Sequence, residues 1–300
     1  MAGYQPPSTV TAPWAALWIS RQAGGVELAV EVVRSASSWS RMVGYMVGSP
    51  LTGLKVHDNS KVPYAHGVGI ISDQLYEAAV ANCKGDYVRP TNEMCANVLT
   101  SINNLMSEVD DENILDDKCA GRATPKPING VSGSRTLLEH IWLNEPPAQP
   151  TINCFSYRFY LLNIWMNNRA TRDALKIKKG TVGVWQRCNQ GVFPYANDVP
   201  SSIGYHFNLT TRGYRALVFS GDLDLVVPFL GTQAWIRSLN FTIVDDWRAW
   251  HLDGQAAGFT ISYDHNLTFA TLKGAGHVPV SYKPKQGFAM GQRWLDNKPL

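Results

Sequence analysis

Apolar and polar positions change rhythm several times along this chain. Residues 1–41 show only weak periodicity, interrupted by Gly24-Gly25. Met42–Val47 (MVGYMV) is a short apolar run closed by Gly48-Ser49-Pro50, the pattern of a buried strand entering a turn. Helical spacing follows. Ser72 is placed to cap a helix whose Leu75, Ala78, Ala79 and Cys83 share a face. Thr91 is placed to cap another, with Val98, Leu99, Ile102, Leu105 and Met106 at helical intervals. Residues 116–150 are rich in proline and glycine around a short apolar patch at Leu137–Leu143, which predicts an exposed, protease-sensitive loop. Helical pattern returns over Phe155–Met166 and Arg172–Ile177.

The last hundred residues alternate strand and helix. Arg215–Phe219 (RALVF) reads as a strand stopped by Ser220-Gly221-Asp222. Pro228 then stands where a first helical turn would begin, with Gly231–Leu239 continuing it. Leu267–Leu272 (LTFATL) is a second β-branched run, ended by Gly274 and Gly276, and Phe288–Leu295 closes the chain as a helix. Such strand–turn–helix units predict an α/β fold with a mostly parallel sheet and functional groups just past the strand C-termini.

Composition narrows the function classes. The 300 residues are 45% hydrophobic and include 10 Trp, 12 Tyr and 10 Phe, which excludes a disordered or collagen-like chain. Charged residues make up 17%, the net charge is +3, and the basic residues are scattered, so nucleic acid is not an expected partner. No apolar stretch reaches the roughly 18 residues of a membrane span. The 5 cysteines (Cys83, Cys95, Cys119, Cys154, Cys188) have no zinc-like spacing, and neither metal nor cofactor is called for. Their wide separation suits disulfides in an oxidising lumen, and their odd number leaves at least one without an intrachain partner. Sequons at Asn208, Asn240 and Asn266 point the same way, to glycosylation on the secretory route. The N-terminus does not: Ala12–Ile19 is apolar but short, with no basic residue before it. The expectation is a protein whose natural start is missing.

Candidate chemistry lies at two strand ends. Gly221-Asp222-Leu223-Asp224 follows the first run, and Gly274-Ala275-Gly276-His277-Val278-Pro279 follows the second. A carboxylate and an imidazole on adjacent strand-end loops form the couple that a general base and its orienting acid require. In α/β-hydrolases the triad runs Ser, then Asp, then His, and Asp224 and His277 fit the last two places. Asp222 is the nearer rival to Asp224, and it could instead brace the turn. A histidine in a glycine-rich loop is more often structural than catalytic; the paired context carries the assignment. His57, His66, His140, His206, His251 and His265 lack such context and read as packing or surface residues.

From about Met42 to Leu300 the chain resembles the C-terminal part of plant serine carboxypeptidase-like proteins. The resemblance rests on Val43–Pro50, Val62–Gly67, Trp185–Cys188, Ser220–Pro228, Gly231–Ile236, Asp245–Arg248, Gly254–Gly258 and Gly274–Pro279, in family order. It implies an incomplete α/β-hydrolase core over residues 42–66 and 200–300. Residues 67–199 would be a mostly helical insertion containing the 116–150 loop, and residues 1–41 an atypical segment. It implies a triad acid at Asp224 and base at His277, disulfides Cys83–Cys95 and Cys119–Cys154, and a Cys188 whose usual partner lies nearer the family's N-terminus. It further implies a vacuolar or extracellular location and a peptide or small-molecule acyl ester as substrate. Phe229–Trp235 and Asp245–Arg248 look more like the branch that transfers acyl groups from glucose esters in secondary metabolism than like the carboxypeptidases.

The nucleophile is the gap. No G-x-S-x-G pentapeptide occurs; the closest sequence, Gly130-Val131-Ser132-Gly133-Ser134, lies in the 116–150 loop and ends in serine. The family's Gly-Gly-Pro-Gly-Cys oxyanion loop is also lacking. Three readings follow: the acid and base of an acyl-enzyme hydrolase or acyltransferase, a non-catalytic remnant or binding module, or a lectin-like secreted domain whose Asp and His are incidental.

Overall fold

The computed structural model describes residues 14–23, 26–35, 42–118, 154–155, 157–181, 183–185 and 199–300. The chain divides into two compact units: residues 1–106, 111–114 and 197–300 form the first, and 107–110 with 115–196 the second.

The first unit is built on a seven-stranded sheet in the order β1-β2-β3-β4-β7-β6-β5. Its strands are β1 (Trp14–Ala23), β2 (Val26–Ser35), β3 (Met42–Gly48), β4 (Arg215–Gly221), β5 (Ile243–Leu252), β6 (Gln255–Tyr263) and β7 (Leu267–Leu272). Only the centre is parallel: β3 pairs with β4, and β4 with β7. Antiparallel strands extend it on both sides, so the sheet is mixed, and the expected mostly parallel character is confined to the three strands that carry the candidate chemistry. These central strands are where the sequence pattern is clearest. Leu217 and Val218 on β4 and Leu267, Phe269, Ala270 and Leu272 on β7 have no exposed surface, as continuous apolar runs buried on both faces should.

Two strands sit in the segment that the weak periodicity left unassigned. Val26, Leu28, Val30 and Val32 alternate with Glu27, Ala29, Glu31 and Val33, a period-2 signal consistent with β2. Asp245-Asp246 breaks the apolar alternation of β5 and hides the β5–β6 hairpin in the sequence pattern. Its turn is nonetheless legible: Asp253 and Gly254 both take positive φ (52° and 73°), as an Asp-Gly hairpin turn requires.

Helices cover both faces. On one, Met290 and Trp294 of the C-terminal helix (Pro284–Leu295) pack against Met46, Leu217, Phe219, Trp250 and Leu272. On the other, Trp235 and Ile236 of the helix Phe229–Ser238 pack against Tyr45, Val47, Ala216, Val218 and Phe269. In chain order the helices are α1 (Leu54–Gly67), α2 (Asp73–Cys83), α3 (Glu93–Met106), α4 (Tyr157–Asn167), α5 (Arg169–Ala174), α6 (Ile203–Thr211), α7 (Phe229–Ser238), α8 (Pro279–Tyr282) and α9 (Pro284–Leu295).

Helices α2 and α3, which the sequence groups with the insertion, share a core with α1 in the first unit: Val62, Ala65, Ala79, Cys83, Cys95, Leu99 and Ile102. Ser72 caps α2 as expected, its hydroxyl accepting from the Leu75 amide. The cap of α3 is Asn92, not Thr91, since the Asn92 side-chain oxygen accepts from the Cys95 amide at 2.8 Å. Pro228 stands at the cap of α7, one place before the first turn. The Cys83–Cys95 disulfide is formed. Cys154 is also disulfide-bonded, while Cys119 and Cys188 lie outside the described residues, as does most of the 116–150 loop.

The second unit contains α4 and α5. Asn168 caps α5 through the Ala170 and Thr171 amides. Asn167 accepts from the Trp185 amide at 2.7 Å and donates to its carbonyl.

Candidate active site

Strands β4 and β7 run level with one another, with Gly221 opposite Leu272, so the loops leaving their C-terminal ends emerge side by side. Close approach is what the glycines permit. A Cβ on Gly221 would collide with the carbonyl oxygens of Ala275 and Gly276, and one on Gly276 with the carbonyl of Glu112. After His277, Pro279 opens α8 at the first helical position, where its missing N–H costs nothing.

At this junction His277 Nδ1 lies 3.0 Å from Asp224 Oδ2. Asp224 is fully buried and His277 is 8% exposed. The other carboxylate oxygen of Asp224 accepts from the Val227 amide at 2.9 Å, which fixes the rotamer of the acid. An ionised carboxylate can only accept, so in this contact the ring donates from Nδ1, and the neutral form of such a ring carries its lone pair on Nε2. Such a couple can take a proton from a hydroxyl, hold the resulting imidazolium against a buried negative charge, and return the proton to a leaving group.

Backbone bonds tie the two loops together. Leu223 donates to the Ala275 carbonyl at 2.9 Å, and the Asp222 carboxylate accepts from the Gly274 and Ala275 amides at 2.7 and 3.3 Å. Asp222 is thus turned toward the histidine loop's backbone, and Asp224 toward its ring. Burial pushes the Asp222 carboxyl upward against the lowering effect of those amides. Tyr64 of α1, itself buried, donates its hydroxyl to the Asp222 carbonyl at 2.8 Å. Burial, followed by the charges of Asp224 and Asp222, holds the Tyr64 phenol protonated.

A short strap, residues 111–114, crosses both loops. The Asp111 carbonyl accepts from the Leu225 and Val226 amides, the Ile114 amide donates to the Leu223 carbonyl, and the Glu112 carbonyl accepts from the His277 amide at 2.6 Å. Neither the strap nor Tyr64 stood out in the sequence as part of the site. The strap acts through its own backbone and Tyr64 on a backbone carbonyl, and neither contact has a residue-type signature at its target.

The remaining candidates fall elsewhere. His57 and His206 are buried in the core, His66 pairs with Asp73 at 2.7 Å, His251 and His265 are exposed, and His140 lies outside the described residues. Ser132 also lies outside them. Asn208, Asn240 and Asn266 are all exposed. Among the described residues no helix is long and apolar enough to cross a membrane.

Comparison with known proteins bears on what this junction is. The chain is 41% identical over 259 residues to serine carboxypeptidase-like 2 of Arabidopsis thaliana, covering 86% of this chain and 52% of that protein. It is 41% identical over 261 residues to serine carboxypeptidase-like 19 of the same plant, covering 86% and 56%. The chain therefore spans about half the length of the curated relatives it matches. Among solved structures, the prohormone-processing carboxypeptidase of Saccharomyces cerevisiae matches with a TM-score of 0.49 at 16% identity, over 81% of this chain and 52% of that one. The serine carboxypeptidase family profile matches residues 27–297, beginning inside the segment that the motif resemblance had left out. The chain belongs to the serine carboxypeptidase family.

Proposed function

We propose that this chain supplies the acid and the base of a serine-type acyl-enzyme site, with Asp224 orienting His277 and His277 shuttling the proton. The observation that carries the reading is the 3.0 Å contact between His277 Nδ1 and a fully buried Asp224 carboxylate at the ends of adjacent parallel strands. In a full-length protein carrying this chain, the serine oxygen would attack a carbonyl carbon as its proton passes to His277 Nε2. Collapse of the tetrahedral intermediate would expel the leaving group, which takes that proton, and leave an acyl-enzyme. Water or an acceptor hydroxyl would then attack the acyl carbon by the reverse proton path.

Family membership makes peptide hydrolysis one outcome of this intermediate. Acyl transfer is the alternative outcome of the same intermediate, and Phe229–Trp235 with Asp245–Arg248 favour it. Incubating the full-length protein with a blocked dipeptide and with an acyl-glucose ester tests the choice: ester-dependent transfer is expected, and amino-acid release without transfer would overturn the preference. The exposed sequon asparagines and the Cys83–Cys95 disulfide favour a secretory-route location.

A second reading, a non-catalytic binding chain, is favoured by one observation, the lack of a G-x-S-x-G pentapeptide in the sequence. A fluorophosphonate probe separates the two. Labelling of the 300-residue chain itself would refute the non-catalytic reading, whereas labelling confined to a longer protein fits acid and base acting on a serine supplied elsewhere.

A further inference from the structure

The Gly221-Asp222-Leu223-Asp224 turn carries two carboxylates, Asp224 fully buried and Asp222 half-buried, and the proposed chemistry uses only one. We propose that Asp222 is a positioning residue: its carboxylate anchors the backbone of the histidine loop so that His277 arrives in register with Asp224. The inference rests on the acid–base reading of His277 and Asp224, and adds a division of labour between the two aspartates.

Three observations converge on it. Asp222 Oδ1 accepts from two successive amides, Gly274 at 2.7 Å and Ala275 at 3.3 Å, and these open the loop that ends in His277. Gly274 takes a φ of +73°, a left-handed conformation that other residues rarely adopt. Asp222 is itself held, because Tyr64 donates to its carbonyl at 2.8 Å and its own amide reaches the Leu272 carbonyl at 3.4 Å. The path from Tyr64 through Asp222 to Gly274 and Ala275 ends two residues before the imidazole.

A surface aspartate capping a turn would be interchangeable with many residues. Here the acceptor is half-buried, and losing it strips the Gly274 amide of its acceptor and leaves the Ala275 amide with the Leu272 carbonyl at 3.3 Å alone, a costly state that movement of the loop relieves. Movement of this loop displaces His277 directly. By contrast, the strap's hold on the His277 amide is made by the Glu112 carbonyl, which no side-chain substitution removes.

The test uses the full chain and nuclear magnetic resonance, reading amide hydrogen exchange at Gly274 and Ala275 and the Nδ1 proton of His277. Asp222→Ala is expected to speed exchange at the Gly274 amide at least tenfold, with a smaller rise at Ala275, which keeps the Leu272 carbonyl, and to broaden away the Nδ1 proton. Asp222→Asn keeps a side-chain acceptor and is expected to stay within about threefold of the parent, with the Nδ1 proton retained. The Trp250 indole N–H, which donates to the Thr271 carbonyl on β7 at 3.0 Å and to neither loop, should hold its exchange rate throughout. If Asp222→Ala does not fold, Asp222→Glu takes its place with the same expectations, because the longer stem misplaces the acceptor. An Nδ1 proton unchanged in the Ala or Glu variant overturns the proposal, as does an Asn variant as damaging as Ala. Asp224→Asn keeps the two ideas apart. Persistence of the Nδ1 proton there defeats the pairing with Asp224, while exchange at Gly274 and Ala275 still reports on Asp222.

Discussion

The strand-end junction and the core behind the sheet both bury imidazoles, and they treat them in opposite ways. His277 is 8% exposed and His206 is 9% exposed, so depth does not distinguish them. Their partners do. His277 faces the Asp224 carboxylate, whereas His206 Nδ1 meets the Tyr45 hydroxyl at 2.8 Å and its ring lies over Trp235. His57, fully buried at the start of α1, has its Nε2 near the Thr52 amide at 3.3 Å, and its Nδ1 finds no partner among the described residues. Burial lowers both core histidines from the usual value near 6.5 to about 4, with the neighbouring Asp58 only partly opposing this at His57. An imidazole desolvated without a carboxylate is a neutral packing group; one set against a buried carboxylate can accept a proton and keep it. Burial prepares a histidine, and the partner decides its role.

The largest expected effect removes that partner. In a full-length protein carrying this chain, Asp224→Asn should lower kcat by about four orders of magnitude with little change in KM, because the ring adopts the wrong tautomer and loses its countercharge. Steady-state kinetics on the preferred substrate measures it. A loss of tenfold or less would mean that Asp224 does no more for His277 than Tyr45 does for His206.

Next comes acid. The folded state holds His206 and His57 neutral, with values depressed below those of the unfolded chain. The unfolded chain therefore binds more protons, and stability is complete above about pH 6.5 and falls as pH drops toward about 4, by on the order of 3 kcal/mol per ring. Urea unfolding at steps between pH 7 and pH 4.5 should show this slope, and His206→Gln should flatten it. An equally steep slope in that variant would contradict the assignment.

Gly221→Ala should cost about 1–3 kcal/mol, since a methyl group there meets the Ala275 and Gly276 carbonyls, and it should disturb His277 while leaving His206 unaffected. Thermal melts and the two histidine ring signals would show it. The smallest effect belongs to Arg248→Ala on β5. Its bonds to both Asp245 carboxylate oxygens and to the Leu300 carbonyl are open to solvent, so the change should cost less than about 1 kcal/mol and alter neither imidazole.

Legibility in the sequence follows the same divide. The sequence predicts β7 residue for residue and β4 to within two positions, because buried central strands write themselves as short apolar and β-branched runs with glycine soon after. The Asp224–His277 couple was visible for the same reason: its residues stand where those runs end. Asp222 was recognisable as a rival carboxylate, but its target could not be read, since the accepting amides belong to a loop distant in sequence. Tyr64 falls in the Val62–Gly67 stretch, but nothing there tied it or the 111–114 strap to the site, as one acts on a carbonyl and the other through its own backbone. Nor could the sequence reveal that His206 and His57 are deeply buried, because their neighbours along the chain are polar as often as apolar. The β5–β6 hairpin carried an Asp-Gly turn signal at Asp253-Gly254 that Asp245 and Asp246 obscured by interrupting the alternation before it.

A double-mutant cycle in the full-length protein tests the central claim most directly. If Asp224 and His277 work as one unit, His277→Ala alone abolishes the proton shuttle, and adding Asp224→Asn should change kcat by no more than about threefold further. Losses that multiply, each substitution taking its full factor in the presence of the other, would show that the two side chains act independently and would contradict the account.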